Sequence, residues 1–164
     1  MKPDEFITLV KEIVTNARTL KDKYTDEKNA PVNYACIFAQ SVDEFDQTYA
    51  AATQLGHIVK EIPTGFLFLV DSIPTVAGSL RLVKVRRPDS THTELGDADF
   101  TVKDYVTFKN KVLKKPKFSL MTRPEMEMIE LMDSEFNVRA YFSYPPLDEQ
   151  SEIKKIIAEK VIKE

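Results

Sequence analysis

The stretch Ser79–Val102 reads SLRLVKVRRPDSTHTELGDADFTV, and it connects two extended segments through an irregular, proline-containing loop. Its first seven residues, SLRLVKV, predict a strand that is bounded by turn residues. Residues 86–97 form the longest irregular stretch of the chain, and a new strand with polar residues at its head follows them. This stretch therefore predicts the end of one structural unit and the start of another.

The same order of elements is predicted on both sides of this junction. Residues 32–85 predict a strand, a helix and three further strands, and residues 97–143 predict the same order again. Two βαβββ units placed side by side form a cupped mixed sheet in an α+β fold. A cup of this kind can hold a ligand, so the repeat indicates a small-molecule cavity.

Amphipathic helices are predicted outside the two units. Apolar residues recur at helical spacing over residues 6–20, and a polar linker follows at residues 25–31. Residues 147–164 predict a second added helix. Its apolar stripe consists of Ile153, Ile156, Ile157 and Val161.

The predicted helix of the first unit carries signals at both ends. Ser41 and Glu44 have the spacing of a capping box, which predicts that the helix begins there. Gly56 is predicted to be the C′ residue at which it ends. The helix is therefore expected between these two positions.

Composition and charge restrict the class of protein. A chain of 164 residues predicts a single domain, residues 1–164. The net charge of −3 gives no electrostatic reason to expect nucleic-acid binding. No apolar run approaches the ~18 residues of a membrane span, so no membrane partner is expected. The single cysteine, Cys36, permits no internal disulfide, which favours a cytoplasmic location, and we expect it to be a small buried hydrophobe.

The doubled βαβββ order, joined by a strand, a proline-containing loop and a polar-headed strand, resembles the vicinal oxygen chelate superfamily, the glyoxalase and bleomycin-resistance fold. The resemblance covers residues 32–143, and the N- and C-terminal helices are additions to it. It implies a glyoxalase-like cup. In metal-binding members it also implies ligands, usually His and Glu, on the first strand and the late strands of each half.

This chain departs from that implied ligand set. Tyr34 stands at or near the position where the family often has His, and Arg139 stands near the place of a ligating Glu. Asp97 and Asp99 share one face of a strand, and together with Glu130 they are candidate ligands for Mg²⁺ or Mn²⁺, which prefer oxygen. Two other interpretations stay open: the aspartates bond backbone groups or pair with lysines, or they line a metal-free polar pocket.

Three residues are candidates for binding a substrate. Tyr34 and Arg139 would orient it within the cup. Arg81 shares a strand face with Val83 and can point into the cup to meet an anionic group, although a solvated edge strand is the alternative.

Two functions from different classes follow from these observations. The first is a divalent-metal-assisted isomerase or lyase that acts on a small molecule beside a carbonyl group. The second is a metal-free ligand-binding or protein-interaction module that has lost the usual metal ligands, since a fold alone does not carry a function. The expected partners are a small-molecule ligand and, through the added helices, a second copy of the chain in a homodimer.

Overall fold

Helices and strands follow one another in the predicted order. The structure is a computed structural model that describes residues 1–163, with side chains described through residue 160. Its strands are β1 (Val32–Phe38), β2 (Gly56–Ile62), β3 (Gly65–Thr75), β4 (Gly78–Arg86), β5 (Gly96–Phe100), β6 (Phe118–Thr122), β7 (Glu127–Leu131) and β8 (Val138–Tyr144). Its α-helices are α1 (Pro3–Tyr24), α2 (Val42–Leu55), α3 (Tyr105–Val112) and α4 (Ser151–Lys163), and a short 3₁₀ turn at Leu147–Glu149 precedes α4.

The eight strands form one mixed sheet in the order β2-β3-β4-β1-β5-β8-β7-β6. Its centre is the antiparallel pair of β1 and β5, in which Tyr34 lies opposite Asp99 and Cys36 lies opposite Asp97. Outside that pair, β4 runs parallel to β1 and β8 runs parallel to β5. Each βαβββ unit thus builds half of the sheet, and the predicted α+β fold is confirmed.

The main hydrophobic core lies on one face of the sheet. Alternate residues of a strand point to opposite faces, so Ala35 and Ile37 of β1 enter this core while Tyr34 and Cys36 face the other way. Helix α1 packs on β5 and β8, and α2 packs on β2, β3 and β4. The opposite face, which we call the concave face, therefore carries the polar residues of the central strands.

The added C-terminal helix lies on the concave face. Ile153 of α4 is 1% exposed and packs against Leu67, Leu69 and Leu82, whose side chains leave the sheet on that face. Of the predicted apolar stripe, Ile153 is buried, Ile156 and Ile157 are half-buried, and the side chain of Val161 lies outside the described residues. No helix within residues 1–163 is long and apolar enough to cross a membrane.

Helix α2 ends at Gly56 as predicted, but for a different physical reason. Its φ is −175°, which is extended backbone rather than a left-handed C′ conformation. A Cβ atom there would lie 2.0 Å from the carbonyl oxygen of Leu69. The glycine is needed because β2 begins at once and its backbone approaches β3 closely.

The N-terminus of α2 provides a first testable prediction. The Ser41 hydroxyl oxygen accepts a hydrogen bond from the backbone N–H of Glu44 at 3.1 Å. Ser41→Ala leaves that N–H without its partner, so we expect a loss of about 1 kcal/mol in the free energy of unfolding, measured by urea denaturation. Ser90→Ala, at an exposed turn residue, is the control and is expected to change it by less than about 0.5 kcal/mol. Equal losses in both variants would contradict the capping role.

Candidate functional site

The concave face brings together polar side chains from five neighbouring strands. Each points away from the hydrophobic core because it alternates with a core residue along its strand. We call this set the concave cluster: Tyr34, Cys36, Lys84, Asp97, Asp99, Glu130, Arg139, Tyr141 and Ser143. The cluster contains every predicted site residue except Arg81.

Asp97 lies near the centre of the cluster and is 7% exposed. Its Oδ1 is buried and accepts no hydrogen bond from the residues that the structure describes. Burial raises the pKa of Asp97 to about 8, although the positive charges of Lys84 and Arg86 act in the opposite direction. The carboxyl group therefore gains or loses its proton near neutral pH, and Oδ1 is available to accept a hydrogen bond from a ligand.

Asp99 is fully buried, and both of its oxygens have partners. The backbone N–H of Ser143 donates to Oδ1 at 3.1 Å, and the hydroxyl of Ser143 donates to Oδ2. Burial raises the pKa of Asp99 to about 7, although these two hydrogen bonds act to lower it. Asp99 therefore connects β5 to β8, as the interpretation of backbone hydrogen bonding predicts for this residue.

Arg139 is held by three residues, two in the loop between β4 and β5 and one in β7. Its guanidinium donates to both carboxylate oxygens of Glu94, at 2.8 and 3.0 Å, and to Glu130 Oε2 at 3.2 Å. It also donates to the carbonyl oxygen of Thr91, so it holds the loop between β4 and β5 against the concave face. Glu130 Oε2 additionally accepts a hydrogen bond from the hydroxyl of Tyr141. These bonds use four of the five N–H groups of the guanidinium, and a substrate role for Arg139 stays a prediction.

Tyr34 lies where the charged and apolar parts of the concave face meet. Its ring packs against the cluster formed by Leu67, Leu69, Leu82 and Ile153. Burial raises the pKa of the Tyr34 hydroxyl well above its ordinary value, and the neighbouring charges of Asp99 and Asp97 raise it further. The hydroxyl therefore stays protonated and can donate a hydrogen bond to a bound molecule.

Arg81 lines a different cavity. That cavity, of about 210 Å³, lies between the end of α2 and the strands β2 and β3, with Gly56 and His57 in its wall. None of its lining residues belongs to the concave cluster. A contact between Arg81 and a ligand on the concave face stays a prediction. The structure does not bring Arg81 together with the residues of the concave cluster.

Several members of the concave cluster were not singled out from the sequence. The position of Lys84 could have been inferred from the sequence, because it alternates with the apolar Val83 and Val85 in β4. In the structure its ammonium donates a hydrogen bond to Thr64 Oγ1 at 2.7 Å, and burial lowers its pKa. Ser143 lies near the end of β8, and no sequence motif around it indicates a site residue. Glu94 lies in an irregular loop, and no periodicity could indicate that it meets Arg139.

The predicted metal ligands were compared with the donor arrangement that a divalent cation requires. Within residues 1–163, no group of three His, Cys, Asp or Glu side chains is arranged to hold a metal ion. Both oxygens of Asp99 and one oxygen of Glu130 already accept protein hydrogen bonds. A shared cation would have to compete with these donors for the carboxylate oxygens, and the metal assignment stays a prediction.

Comparison with known proteins supports the fold. Two βαβββ units meet at their first strands in one sheet, which is the arrangement that the sequence resemblance implied. A structural-genomics structure described as Protein EC4020 is similar to the chain with a TM-score of 0.66. The chain has a glyoxalase-like fold. The likeness to Protein EC4020 covers 85% of this chain and 86% of that chain at 10% identity, and it concerns the fold alone.

A second solved structure is similar to this glyoxalase-like chain over a smaller part of it. It is a glyoxalase/bleomycin resistance protein/dioxygenase superfamily member from Vibrio splendidus 12B01, with a TM-score of 0.47 and 9% identity. The alignment covers 70% of this chain and 97% of that chain. No family model matches the sequence, and no curated protein matches it.

Proposed function

We propose that this glyoxalase-like protein binds a small molecule at the concave cluster through a hydrogen bond to Asp97, without a divalent metal. The observation that carries the proposal is the buried Oδ1 of Asp97, which has no hydrogen-bond partner among the described residues. A buried polar atom without a partner destabilises the fold, and a ligand that donates a hydrogen bond removes that penalty on binding. The protein then gains affinity from a group that is unsatisfied without its ligand.

The electrostatics of the site support acid–base chemistry on a bound molecule. A carboxyl group with a pKa of about 8 can hold or release a proton near neutral pH, which is the property of a general acid or base. The hydroxyl of Tyr34, which stays protonated, belongs to the same concave cluster and is a donor for a carbonyl oxygen. Isomerisation beside a carbonyl is the reaction class that this pair of groups suits best.

The metal-assisted isomerase or lyase is the second candidate function. It is favoured by the placement of Asp97 and Asp99 on one face of β5, since two carboxylates there could approach one cation. Against it, Asp99 and Glu130 already accept hydrogen bonds from Ser143, Arg139 and Tyr141.

Thermal unfolding in the presence of Mg²⁺, Mn²⁺, Ni²⁺ or Zn²⁺ separates the two functions. A cation that binds only the folded protein must raise its melting temperature. We expect each ion to change the melting temperature of the wild-type chain by less than about 1 °C. Because a stabilisation of about 1 kcal/mol corresponds to about 2–4 °C in a chain of this size, such a small change means that the ion does not bind appreciably. A larger rise that is lost in Asp97→Ala and kept in Asp71→Ala, an exposed aspartate of β3, would establish the metal site instead.

A further inference from the structure

Helix α4 covers part of the concave face but is anchored there by few groups. Within its described residues, Ile153 is the one side chain that is fully buried. Ile156 and Ile157 are half-buried, and most of the remaining side chains are exposed. The helix therefore docks mainly through Ile153, and the half-buried Ile157 packs beside it against the same apolar cluster.

The polar contacts of this segment are also limited. Lys60 and Glu152 form an ion pair at 3.2 Å, but the side chains are 34% and 64% exposed, and such pairs contribute little. The backbone N–H of Asp148 donates to Asn33 Oδ1 at 3.3 Å. A cavity of about 330 Å³ remains at the first turn of α4, between Ile153, Lys60 and Pro145. The packing at this end of the helix is therefore incomplete.

The concave face has an apolar part and a polar part. Leu67, Leu69 and Leu82 form the apolar part on β3 and β4, and Ile153 fills it. Asp97 and Asp99 form the polar part on β5, and Tyr34 lies between the two parts. Ile153 thus covers the apolar part from within the chain, whereas Oδ1 of Asp97 in the polar part has no hydrogen-bond partner among the side chains of residues 1–160 and the described backbone.

We propose that α4 is a lid over the concave face, and that the ligand which displaces Ile153 has an apolar body and a hydrogen-bond-donating head. The apolar body takes the place of Ile153 against Leu67, Leu69 and Leu82, and the head donates to Asp97. This inference rests on the proposed function, because it needs Asp97 to be the polar anchor of the ligand. The ligand binds the open state alone, so its apparent affinity is set by the fraction of molecules in which α4 is lifted.

Hexylamine is a suitable probe, since it joins an apolar chain to an ammonium head, and hexanoate has a similar chain with a head that only accepts hydrogen bonds. Ile153→Ser in the full chain removes the anchor without adding charge, and Ala158→Ser, at an exposed position of α4, is the matched control. We expect Ile153→Ser to bind hexylamine about tenfold more tightly than the wild type, because the competent fraction rises. The readout is the backbone amide shift of residues 96–100 in NMR titrations.

Further measurements decide between the outcomes. Amide hydrogen exchange should become about tenfold faster in α4 of Ile153→Ser but stay unchanged in β1 and β5, which shows that the sheet remains folded. Asp97→Ala in the Ile153→Ser background should abolish hexylamine binding, and hexanoate should bind at least about tenfold more weakly than hexylamine.

Each alternative result has one meaning. Equal affinity for hexylamine in the wild type, Ile153→Ser and Ala158→Ser, with the dependence on Asp97 intact, overturns the lid and leaves the proposed function standing. Faster exchange in α4 without amide shifts in residues 96–100 in any variant overturns the proposed function, and the ligand class inferred from it, while showing that the helix itself opens. Tighter binding of hexanoate than of hexylamine overturns the ligand class.

Discussion

Gly96→Ala is expected to lower the free energy of unfolding by about 3 kcal/mol or more, measured by urea denaturation. Gly96 opens β5 at the seam between the two βαβββ units, where it pairs with Ile37 of β1. A Cβ atom there would lie 2.0 Å from the carbonyl oxygen of Cys36 and 2.8 Å from Cδ1 of Ile13. Backbone atoms cannot move aside as a flexible side chain can, so β1 and β5 must separate.

Gly78→Ala is the control for this substitution. Residue 78 has a φ of +101°, but a Cβ atom there meets no atom within 4 Å. The backbone conformation alone makes alanine unfavourable at this position, and we expect a loss of about 1 kcal/mol. A loss at Gly96 no larger than the loss at Gly78 would show that the seam accommodates a methyl group, against the geometry described here.

Asp97→Asn is expected to stabilise the protein at pH 8 by up to about 5 kcal/mol, since the pKa differs by about 4 units between the folded and unfolded states and each unit is worth about 1.4 kcal/mol. Burial raises the pKa of Asp97 from 3.8 to about 8 in the folded chain. Between those values the unfolded chain loses the proton while the folded chain keeps it, so stability falls as the pH rises. Asparagine does not ionise and removes this pH-dependent loss.

The difference between Asp97→Asn and the wild type should therefore shrink towards pH 3, where the carboxyl group is largely protonated in both states. The measurement is the free energy of unfolding at several values between pH 3 and pH 8. Asp71→Asn, at an exposed position, is the matched control and should change stability by less than about 0.5 kcal/mol throughout. Destabilisation by Asp97→Asn at pH 8 would mean that Lys84 and Arg86 hold Asp97 in its ionised form.

The order of elements could be predicted because it depends on local patterns. Apolar spacing over residues 6–20 indicated the helix that the structure places at Pro3–Tyr24, and the Ser41 signal located the start of α2. The limits of the strands depend in addition on tertiary pairing, which local patterns do not contain. Strand β3, for example, continues to Thr75 because its end pairs with Gly78 at the start of β4.

The candidate site could be predicted only in part. Alternation along β5 indicated that Asp97 and Asp99 share one face, and the family resemblance implied that Arg139 belongs to the cup. The structure places all three on the concave face. Their partners could not be predicted, since Ser143 lies 44 residues from Asp99 and Glu94 lies 45 residues from Arg139. Hydrogen bonds between such distant positions depend on how the two units meet, which no local spacing encodes.

Local periodicity and turn chemistry were thus sufficient for the two βαβββ units, for their added helices and for the face to which each strand residue points. The folded arrangement was needed for the rest: for the burial of Asp97, for the hydrogen bonds that occupy Asp99 and Arg139, and for the docking of Ile153 over the cup. The physical reason is that a side chain's orientation follows from its own strand or helix, whereas its solvation and its partners follow from elements far away in the sequence.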